Sequence, residues 1–553
     1  MSALPTRIEE EAGRPLTPLE IFDITAARES SLSRLLMLYI ATGLVFMLLP
    51  GTFLGVWNLM AISSHRSAGS VSASWIQAHG HAQIFGWIGT FILGIGFYSI
   101  PKLRRLKSFA LSVVWSSWAL WTSGVTLHWL TSVYQWHWRA LLPLSAALEL
   151  AAFLIFFHTV SGHRPQGKDK VKEKENGKLD EWVFVVIAGS VGLLLTLLIN
   201  LGATLFLALR GPSPELPPDF DQRFLVLQTW GFLVPFVWGF SAKWLPVFLG
   251  LRPVRGRLLL LAVAVNSVGV IAAMLMPGTG GMRFAVLLLL GGFLIAAGAL
   301  RFLEPTQQPA KVKGVHPSFP VFVRVAYVWA VVAAALGIWA SWAGDARGIW
   351  GASRHALTVG FLATMVFCVG QRVLPAFSGM RLLFSTRLMF LALLGLTAGC
   401  LLRVSSEILA YQGFAHWAWS WLPVSALTEM TAVTLFAVNL FGTFMRRPPS
   451  ACQYTEPYAC SNWSQDAQLY RPHRPALRLP PPCRDVSRYA PGRCASHRPS
   501  ANGRDQPGAG VRLALLPASR PQAHRRRGRV AFPPPASDPQ SRKRVCIFKA
   551  GTA

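Results

Sequence analysis

The chain is 553 residues long, with 52% apolar and only 14% charged residues. This balance excludes a soluble globular domain and, over most of the length, a disordered chain, so it predicts a membrane protein. Seven Cys residues are too few for a disulfide framework. The net charge of +29 would suit a nucleic-acid-binding protein, but it is divided between membrane loops and a basic tail.

Twelve segments are long and apolar enough to cross a bilayer core, which takes roughly 20 residues per helix. In chain order they lie near residues 34–60, 77–100, 108–130, 137–160, 182–209, 224–249, 257–276, 283–302, 321–343, 352–375, 386–410 and 417–445. The first follows a polar, acidic stretch and has no small-residue cleavage site after it, so we interpret it as a membrane helix rather than a signal peptide. The predicted domains are a cytoplasmic N-terminal segment (1–33), a membrane domain (34–447) and a tail (448–553).

Lys and Arg residues are unevenly divided between the two sets of loops. The N-terminus, the even-numbered loops and Arg446-Arg447 carry about 25 of them, and the odd-numbered loops carry about 7. Since positive residues collect on the cytoplasmic side, both termini are predicted to be cytoplasmic. The lipid bilayer is therefore the predicted partner of this basic chain, and nucleic acid is not.

The composition changes abruptly after Arg447. The tail has 18 Lys and Arg against five acidic residues, many Pro and Ser, and no hydrophobic period, so it is predicted to form no core. One interpretation is a disordered arm that binds anionic lipid or nucleic acid. We favour another, in which a high-GC gene is read out of frame, and assign the tail no function.

The predicted helices 2 and 10 match over 21 positions without a gap. Helix 2 reads HAQIFGWIGTFILGIGFYSIP from His81, and helix 10 reads HALTVGFLATMVFCVGQRVLP from His355. Helices 4 and 12, HWRALLPLSAALELAA and HWAWSWLPVSALTEMTA, align Glu149 with Glu429 after one inserted residue. Helix 6 keeps Gln228 at the position of Gln83 but has no histidine. These matches predict three units of four helices, with helices 2, 6 and 10 equivalent.

Predicted helix 2 is similar to helix 2 of the heme-copper oxidase catalytic subunit over the segment HGHAQIFGWIGTFILGIGFYSIPKL. That catalytic subunit also consists of three four-helix units. Predicted helix 10 resembles the tenth-helix signature of the NnrS family over the segment HALTVGFLATMVFCVGQRVLPAFSGM. NnrS proteins are membrane proteins associated with heme and copper and with the response to nitric oxide. The resemblance covers roughly residues 30 to 445. It implies an all-α, polytopic, heme-copper-oxidase-like bundle of 12 transmembrane helices with haem b and copper as cofactors. It also implies nitric oxide or another small diatomic molecule as ligand.

Seven of the thirteen histidines fall in outer loops or at the outer ends of predicted helices: His65, His79, His81, His128, His137, His355 and His416. Imidazole is the commonest metal ligand and also binds haem iron, so this clustering predicts a cofactor or metal site. The alternative for His65, His137 and His416 is an aromatic belt at the membrane interface, beside tryptophans such as Trp417.

His81 and His355 are predicted to be the two axial ligands of one haem because each begins an equivalent inner helix. His79 lies about 200° away from His81 around the helix and cannot face the same iron. We therefore expect His79 to belong to a separate copper site, with His128 or His137, and count His416 as a further candidate ligand.

The copper of the heme-copper oxidases is held by histidines of helices 6 and 7. Neither predicted helix carries a histidine here, and helix 10 has only His355. The binuclear oxygen-reducing centre is therefore not expected, which favours the NnrS resemblance over an oxidase.

Glu149 lies about 18 Å along its helix from His137, near the bilayer midplane, and Glu429 is its repeat equivalent. A carboxyl group at this depth predicts a proton relay. The alternative is a neutral Glu that hydrogen-bonds a neighbouring helix. Glu407 lies nearer a helix end and is expected to snorkel.

Two other classes of function remain open. Twelve helices, internal repeats and two midplane carboxyl groups also suit a secondary transporter. A redox subunit that takes electrons from quinol would contain haem as well. No catalytic residue is predicted from the sequence.

The predicted topology can be tested by cysteine labelling in a background without the native Cys residues. Ser70→Cys should react from the outside of sealed vesicles and Gln166→Cys from the cytoplasmic side, because they lie in loops of opposite charge bias. Labelling of both positions from the same side would contradict the orientation.

Overall fold

The computed structural model describes residues 18–103, 109–162, 180–343 and 347–446. Residues 18–33 of the predicted N-terminal segment lie in this range, and the predicted tail, 448–553, lies outside the described residues. Within the described ranges the protein is all-helical, which confirms the predicted fold class.

The described residues form twelve long helices, α1 to α12, at the twelve predicted positions. In chain order they are α1 (Pro18–Phe46, Met47–Phe53 and Leu54–His65), α2 (Ala73–His81, Ala82–Gly89 and Thr90–Leu103), α3 (Leu111–Tyr134), α4 (Trp138–Gly162), α5 (Glu181–Arg210), α6 (Pro218–Val226, Leu227–Leu233 and Val234–Leu249), α7 (Gly256–Leu275), α8 (Gly278–Leu300), α9 (Phe319–Trp342), α10 (Arg347–His355, Ala356–Ala363 and Thr364–Phe377), α11 (Thr386–Tyr411) and α12 (Ala418–Met445). Eleven of them are long and apolar enough to cross a membrane; the exception, α3, is richer in Ser, Thr and Trp.

Four of the helices contain a π-helical segment between two α-helical parts. Three of these segments lie at aligned positions in α2, α6 and α10 and begin directly after His81, Val226 and His355. The backbone therefore repeats the pattern that the sequence predicted for helices 2, 6 and 10. π-Helical turns are rare and frequently mark functional sites.

Equivalent threonines end the π-helical segments of α2 and α10. The Thr90 hydroxyl donates to the Gly86 carbonyl oxygen at 2.6 Å, and the Thr364 hydroxyl donates to that of Val359 at 3.2 Å. A carbonyl that the irregular backbone leaves free needs such a partner because lipid offers none.

A glycine fixes the contact between the third and fourth helices of every unit. The three glycines are Gly124 on α3, Gly269 on α7 and Gly399 on α11. A Cβ at these positions would lie 2.9, 3.2 and 3.4 Å from a backbone oxygen of the fourth helix, at Ser145, Ala285 and Ser425, respectively. Small residues at such contacts let two membrane helices approach closely. The three helix pairs therefore share one packing register, although their sequences differ.

Large apolar side chains occupy both the interior and the outer surface of the bundle. Phe293 of α8, Tyr327 of α9 and Phe361 of α10 are fully buried and pack ring against ring. Leu198 and Ile271 are about half exposed on outer faces. Exposed apolar side chains of this kind suit helices that face lipid tails.

The closest packing of α5 against α6 provides a stability test. A Cβ at Gly192 would overlap with the carbonyl oxygen of Gly231, whereas a Cβ at Gly202, on the same helix, meets nothing within 4 Å. Gly192→Ala should lower the free energy of unfolding by about 1–3 kcal/mol or more through overpacking. Gly202→Ala should be neutral or slightly stabilising because alanine favours helix. Thermal unfolding in detergent measures both, and equal melting temperatures would contradict the packing.

Candidate functional site

A cavity of about 410 Å³ is lined by residues of α1 to α6 and of α10 to α12. Much of its wall is apolar, including Trp87, Ile88, Leu233, Leu357 and Val433. The ionisable side chains in the wall are four histidines, two arginines, three acids and one tyrosine: His79, His81, His128, His355, Arg354, Arg403, Asp221, Glu407, Glu429 and Tyr411. The cavity therefore combines an apolar lining with possible metal ligands and buried positive charges.

The two histidines of α2 point in different directions, as their spacing on a helix requires. The Nδ1–H of His79 donates to the carbonyl oxygen of Gly51 at 2.8 Å, and its ring packs against Gly55 of α1. Nε2 of His81 instead lies 2.9 Å from Oε1 of Glu149 on α4.

The acceptor for His79 belongs to the π-helical segment of α1, Met47–Phe53. Pro50 lies in this segment and has no N–H, so it cannot continue an α-helical ladder. The carbonyl oxygen of Pro50 accepts from Nε1 of Trp129, and that of Gly51 accepts from His79. The irregular backbone at Pro50 and Gly51 therefore provides carbonyl acceptors for Trp129 and His79.

His355 of α10 lies in a second group of polar side chains. Its Nδ1–H donates to the carbonyl oxygen of Gly351 at 3.1 Å, and Nε of Arg403 lies 3.5 Å from its Nε2. The latter distance is at the limit of a hydrogen bond, so the Nε2 lone pair is only weakly held. Arg403, His79 and the adjacent Arg354 are its charged or titratable neighbours.

His79 and His355 therefore share one arrangement. In each ring, Nδ1 is fixed by a backbone carbonyl, which assigns the proton to Nδ1 and leaves Nε2 as the free ligand atom. Histidines that bind metals are oriented in the same way by their second nitrogen.

Two arginines and two acids surround His355. Nη2 of Arg403 lies 3.4 Å from Oε2 of Glu407, and that oxygen lies 3.7 Å from Nδ1 of His355. Arg354 has Asp221 and Glu407 as its charged neighbours. The expectation that Glu407 snorkels to the membrane surface is wrong, because its side chain is 7% exposed and faces these cations.

Some of these buried cationic atoms lack a partner. Nε of Arg354 and Nη1 of Arg403 have no hydrogen-bond partner among the described residues. Buried polar atoms are nearly always satisfied, and orphaned guanidinium donors at a cavity suit an anionic ligand such as a carboxylate.

His81, His128 and Glu149 form a separate buried cluster. The rings of His81 and His128 are parallel, with their centroids 3.5 Å apart. One ligand atom from each of the three residues lies within 4.8 Å of the other two. The relative exposures of the three residues are 7%, 9% and 0%.

This cluster bears on several of the sequence-based expectations. The expected grouping of His79 with His128 stays a prediction, although the His128 ring stacks on His81. Glu149, predicted as a proton relay, belongs to the same cluster as the two rings. The predicted pairing of His81 with His355 stays a prediction, although Nε2 of His81 already contacts Glu149.

The remaining predicted histidines lie away from both groups. His137 is exposed just before α4, in a left-handed backbone conformation with φ 43°. His65, at the end of α1, and His416, just before α12, are also exposed. The structure therefore brings neither His137 nor His416 into a buried ligand set.

The repeat relates the two polar groups to each other. Glu149 and Glu429 pack on Gly124 and Gly399, and Leu289 packs on Gly269. The residues four positions after these glycines are His128, Arg403 and Ala273. The equivalent sets are therefore His81, His128 and Glu149 in the first unit, Val226, Ala273 and Leu289 in the second, and His355, Arg403 and Glu429 in the third.

Arg354, Arg403 and Asp221 were not identified as site residues from the sequence. A signal for Arg403 was present, because TSGVTLH in α3 aligns with TAGCLLR in α11 and places His128 opposite Arg403. No comparable signal marked Asp221 or Arg354, which the fold alone brings to the cavity.

Comparison with known proteins shows the fold but not a family. No protein family and no curated protein matches the sequence. The fold is similar to that of a heme-copper terminal oxidase dimer solved by cryo-EM, with a TM-score of 0.56 and 12% identity. The match covers 76% of this chain and 85% of that chain. The protein thus has a heme-copper-oxidase-like membrane fold, as the sequence predicted.

Proposed function

We propose that the protein is a membrane haem protein of the NnrS type, active in the response to or metabolism of nitric oxide in the bacterial inner membrane. The observation that carries this proposal is the cavity, in which two histidines with fixed Nδ1 atoms and two orphaned arginines share an apolar wall. The role in nitric oxide metabolism rests on the resemblance of α10 to the NnrS signature.

The residues of the cavity fit a haem group. A haem combines a flat apolar ring, an iron that accepts imidazole and two carboxylates. His355 and His79 would bind the iron through Nε2, and Arg354 and Arg403 would pair with the carboxylates. The contact geometry thus favours His79, rather than the sequence-predicted His81, as the partner of His355.

Bound haem would supply one-electron redox chemistry and a site for a small diatomic molecule such as nitric oxide. The protein residues would hold the group in place and exclude water through the apolar wall. Glu407 would balance the charge of Arg403, since the two side chains already lie 3.4 Å apart.

A secondary transporter is the second candidate function. It is favoured by Glu149 and Glu429, each of which has one buried carboxyl oxygen without a hydrogen-bond partner among the described residues. Carboxyl groups of this kind carry protons or ions in transporters. An absorption spectrum and a pyridine-haemochrome assay of the purified protein separate the candidates, because only the haem protein shows a Soret band.

The haem ligands can be identified by substitution. His355→Ala and His79→Ala should each remove or convert the low-spin haem signal, because each would lose one axial nitrogen. His81→Ala should retain the signal, since its Nε2 contacts Glu149. The exposed His416→Ala is the matched control, and absorption and electron paramagnetic resonance spectra are the readouts. Loss of the signal in His81→Ala but not in His79→Ala would restore the pairing of His81 with His355.

The haem-loaded protein should not reduce oxygen at oxidase rates. Neither α6 nor α7 contains a histidine, so the copper of the oxygen-reducing centre would have no ligands there. Oxygen uptake by the pure protein with an artificial electron donor is the measurement. Sustained, cyanide-sensitive uptake would contradict this prediction.

A further inference from the structure

We infer that His81, His128 and Glu149 form a binding site for one divalent first-row transition metal ion, separate from the proposed haem position. Two imidazoles and one carboxylate are a donor set that Zn²⁺ and Fe²⁺ use with three protein ligands. The proposed haem position depends on His79 and His355, so either site can exist without the other.

The distances suit one shared ion. One ligand atom of each residue lies within 4.8 Å of the others, and Nε2 of His81 lies 2.9 Å from Oε1 of Glu149. Ligand atoms around a tetrahedral ion at about 2.1 Å lie about 3.4 Å apart. The parallel rings of His81 and His128 would have to rotate out of their stack so that one nitrogen lone pair of each points at the ion.

His128 has a polar neighbour outside the cluster. The Ser145 hydroxyl donates to the carbonyl oxygen of Leu142 at 2.6 Å, and its oxygen lies 3.5 Å from Nδ1 of His128, at the limit of a hydrogen bond. This contact favours the proton on Nδ1, which leaves Nε2 for a metal. An oriented second nitrogen of this kind is typical of histidines that bind metals.

Among the described residues no Lys or Arg pairs with the carboxyl group of Glu149, and its Oε1 contacts only Nε2 of His81, at 2.9 Å. Glu149 is 0% exposed, and Oε2 has no hydrogen-bond partner among the described residues. A buried carboxylate without a positive neighbour is costly. A metal ion bound by Oε1 or Oε2 would remove that cost and occupy the orphaned oxygen.

The three units provide an internal comparison for this position. In the third unit, Glu429 has the guanidinium of Arg403 as a charged neighbour. In the second unit, Leu289 replaces the acid and Ala273 the cation. In the first unit the acid is retained, and His128 occupies the position equivalent to that of Arg403. A bound metal ion would therefore supply at Glu149 the positive charge that Arg403 supplies at Glu429.

The site is coordinatively open on the cavity side. His81 and His128 line the cavity. Three protein ligands leave a fourth position for water or a small molecule on the cavity side.

The test uses the full-length protein in detergent after treatment with a chelator. Co²⁺ is titrated into it, and binding is measured by the visible d–d absorption of the bound Co²⁺. Wild type should bind one Co²⁺ per chain, and Zn²⁺ should displace it, as measured by elemental analysis. Glu149→Gln and His128→Ala should each weaken binding more than about 100-fold, because each removes a ligand and even outer partners are worth 10–100-fold. Glu429→Gln and the exposed His137→Ala are matched controls and should bind Co²⁺ like wild type.

One further variant addresses folding. His128→Arg gives the first unit the cation that the third unit has, so it should fold with wild-type thermal stability and bind no Co²⁺. No stoichiometric Co²⁺ in wild type, or unchanged affinity in Glu149→Gln and the His128 variants, would overturn the inference. The haem spectrum of the same samples is an independent readout, because the haem proposal does not use His128 or Glu149.

Discussion

The contact between the third and fourth helices of each unit is the constraint on which both candidate sites depend. Gly124 and Gly399 leave room for the carboxyl side chains of Glu149 and Glu429 inside the helix interface. A carboxyl group at this depth is costly unless it is neutral, paired or bound to a metal. The residue one turn after the glycine therefore has to be compatible with a buried carboxyl group. This residue is His128 in the first unit and Arg403 in the third.

The bundle repeats one backbone arrangement three times but varies its chemistry. The second unit keeps the π-helical segment and Gly269 yet replaces the polar set with apolar residues, including Leu289. Stability in lipid does not require the polar sets, because the apolar unit packs in the same register. The acids, histidines and Arg403 of the other two units are thus better explained by a ligand than by packing.

Charge is distributed unequally around the cavity. Arg354 and Arg403, which have orphaned donors, come from the third unit, whereas the first unit contributes the imidazoles of His79, His81 and His128. Under the two proposals, the carboxylates of the haem would therefore be held by α10 and α11, and the metal ion by the first unit.

Irregular backbone has a defined role in this arrangement. Peptide groups in a bilayer need internal partners, so every interruption of an α-helix has to be compensated. At Gly51 and Pro50 the compensation comes from His79 and Trp129, and it holds the His79 ring at the cavity. The same interruption that Pro50 causes is therefore part of the site.

The sequence by itself determined the twelve helices and the repeat. Apolar segments of bilayer length leave the backbone no alternative to helix, and the match of His81 with His355 and of Glu149 with Glu429 requires only alignment. Which side chains meet was decided by the tertiary structure. His128 and Glu149 lie on different helices from His81, and Arg403 lies 48 residues from His355. Their contacts depend on the rotation of each helix about its axis and on the side-chain rotamers, which packing fixes and which no linear pattern records.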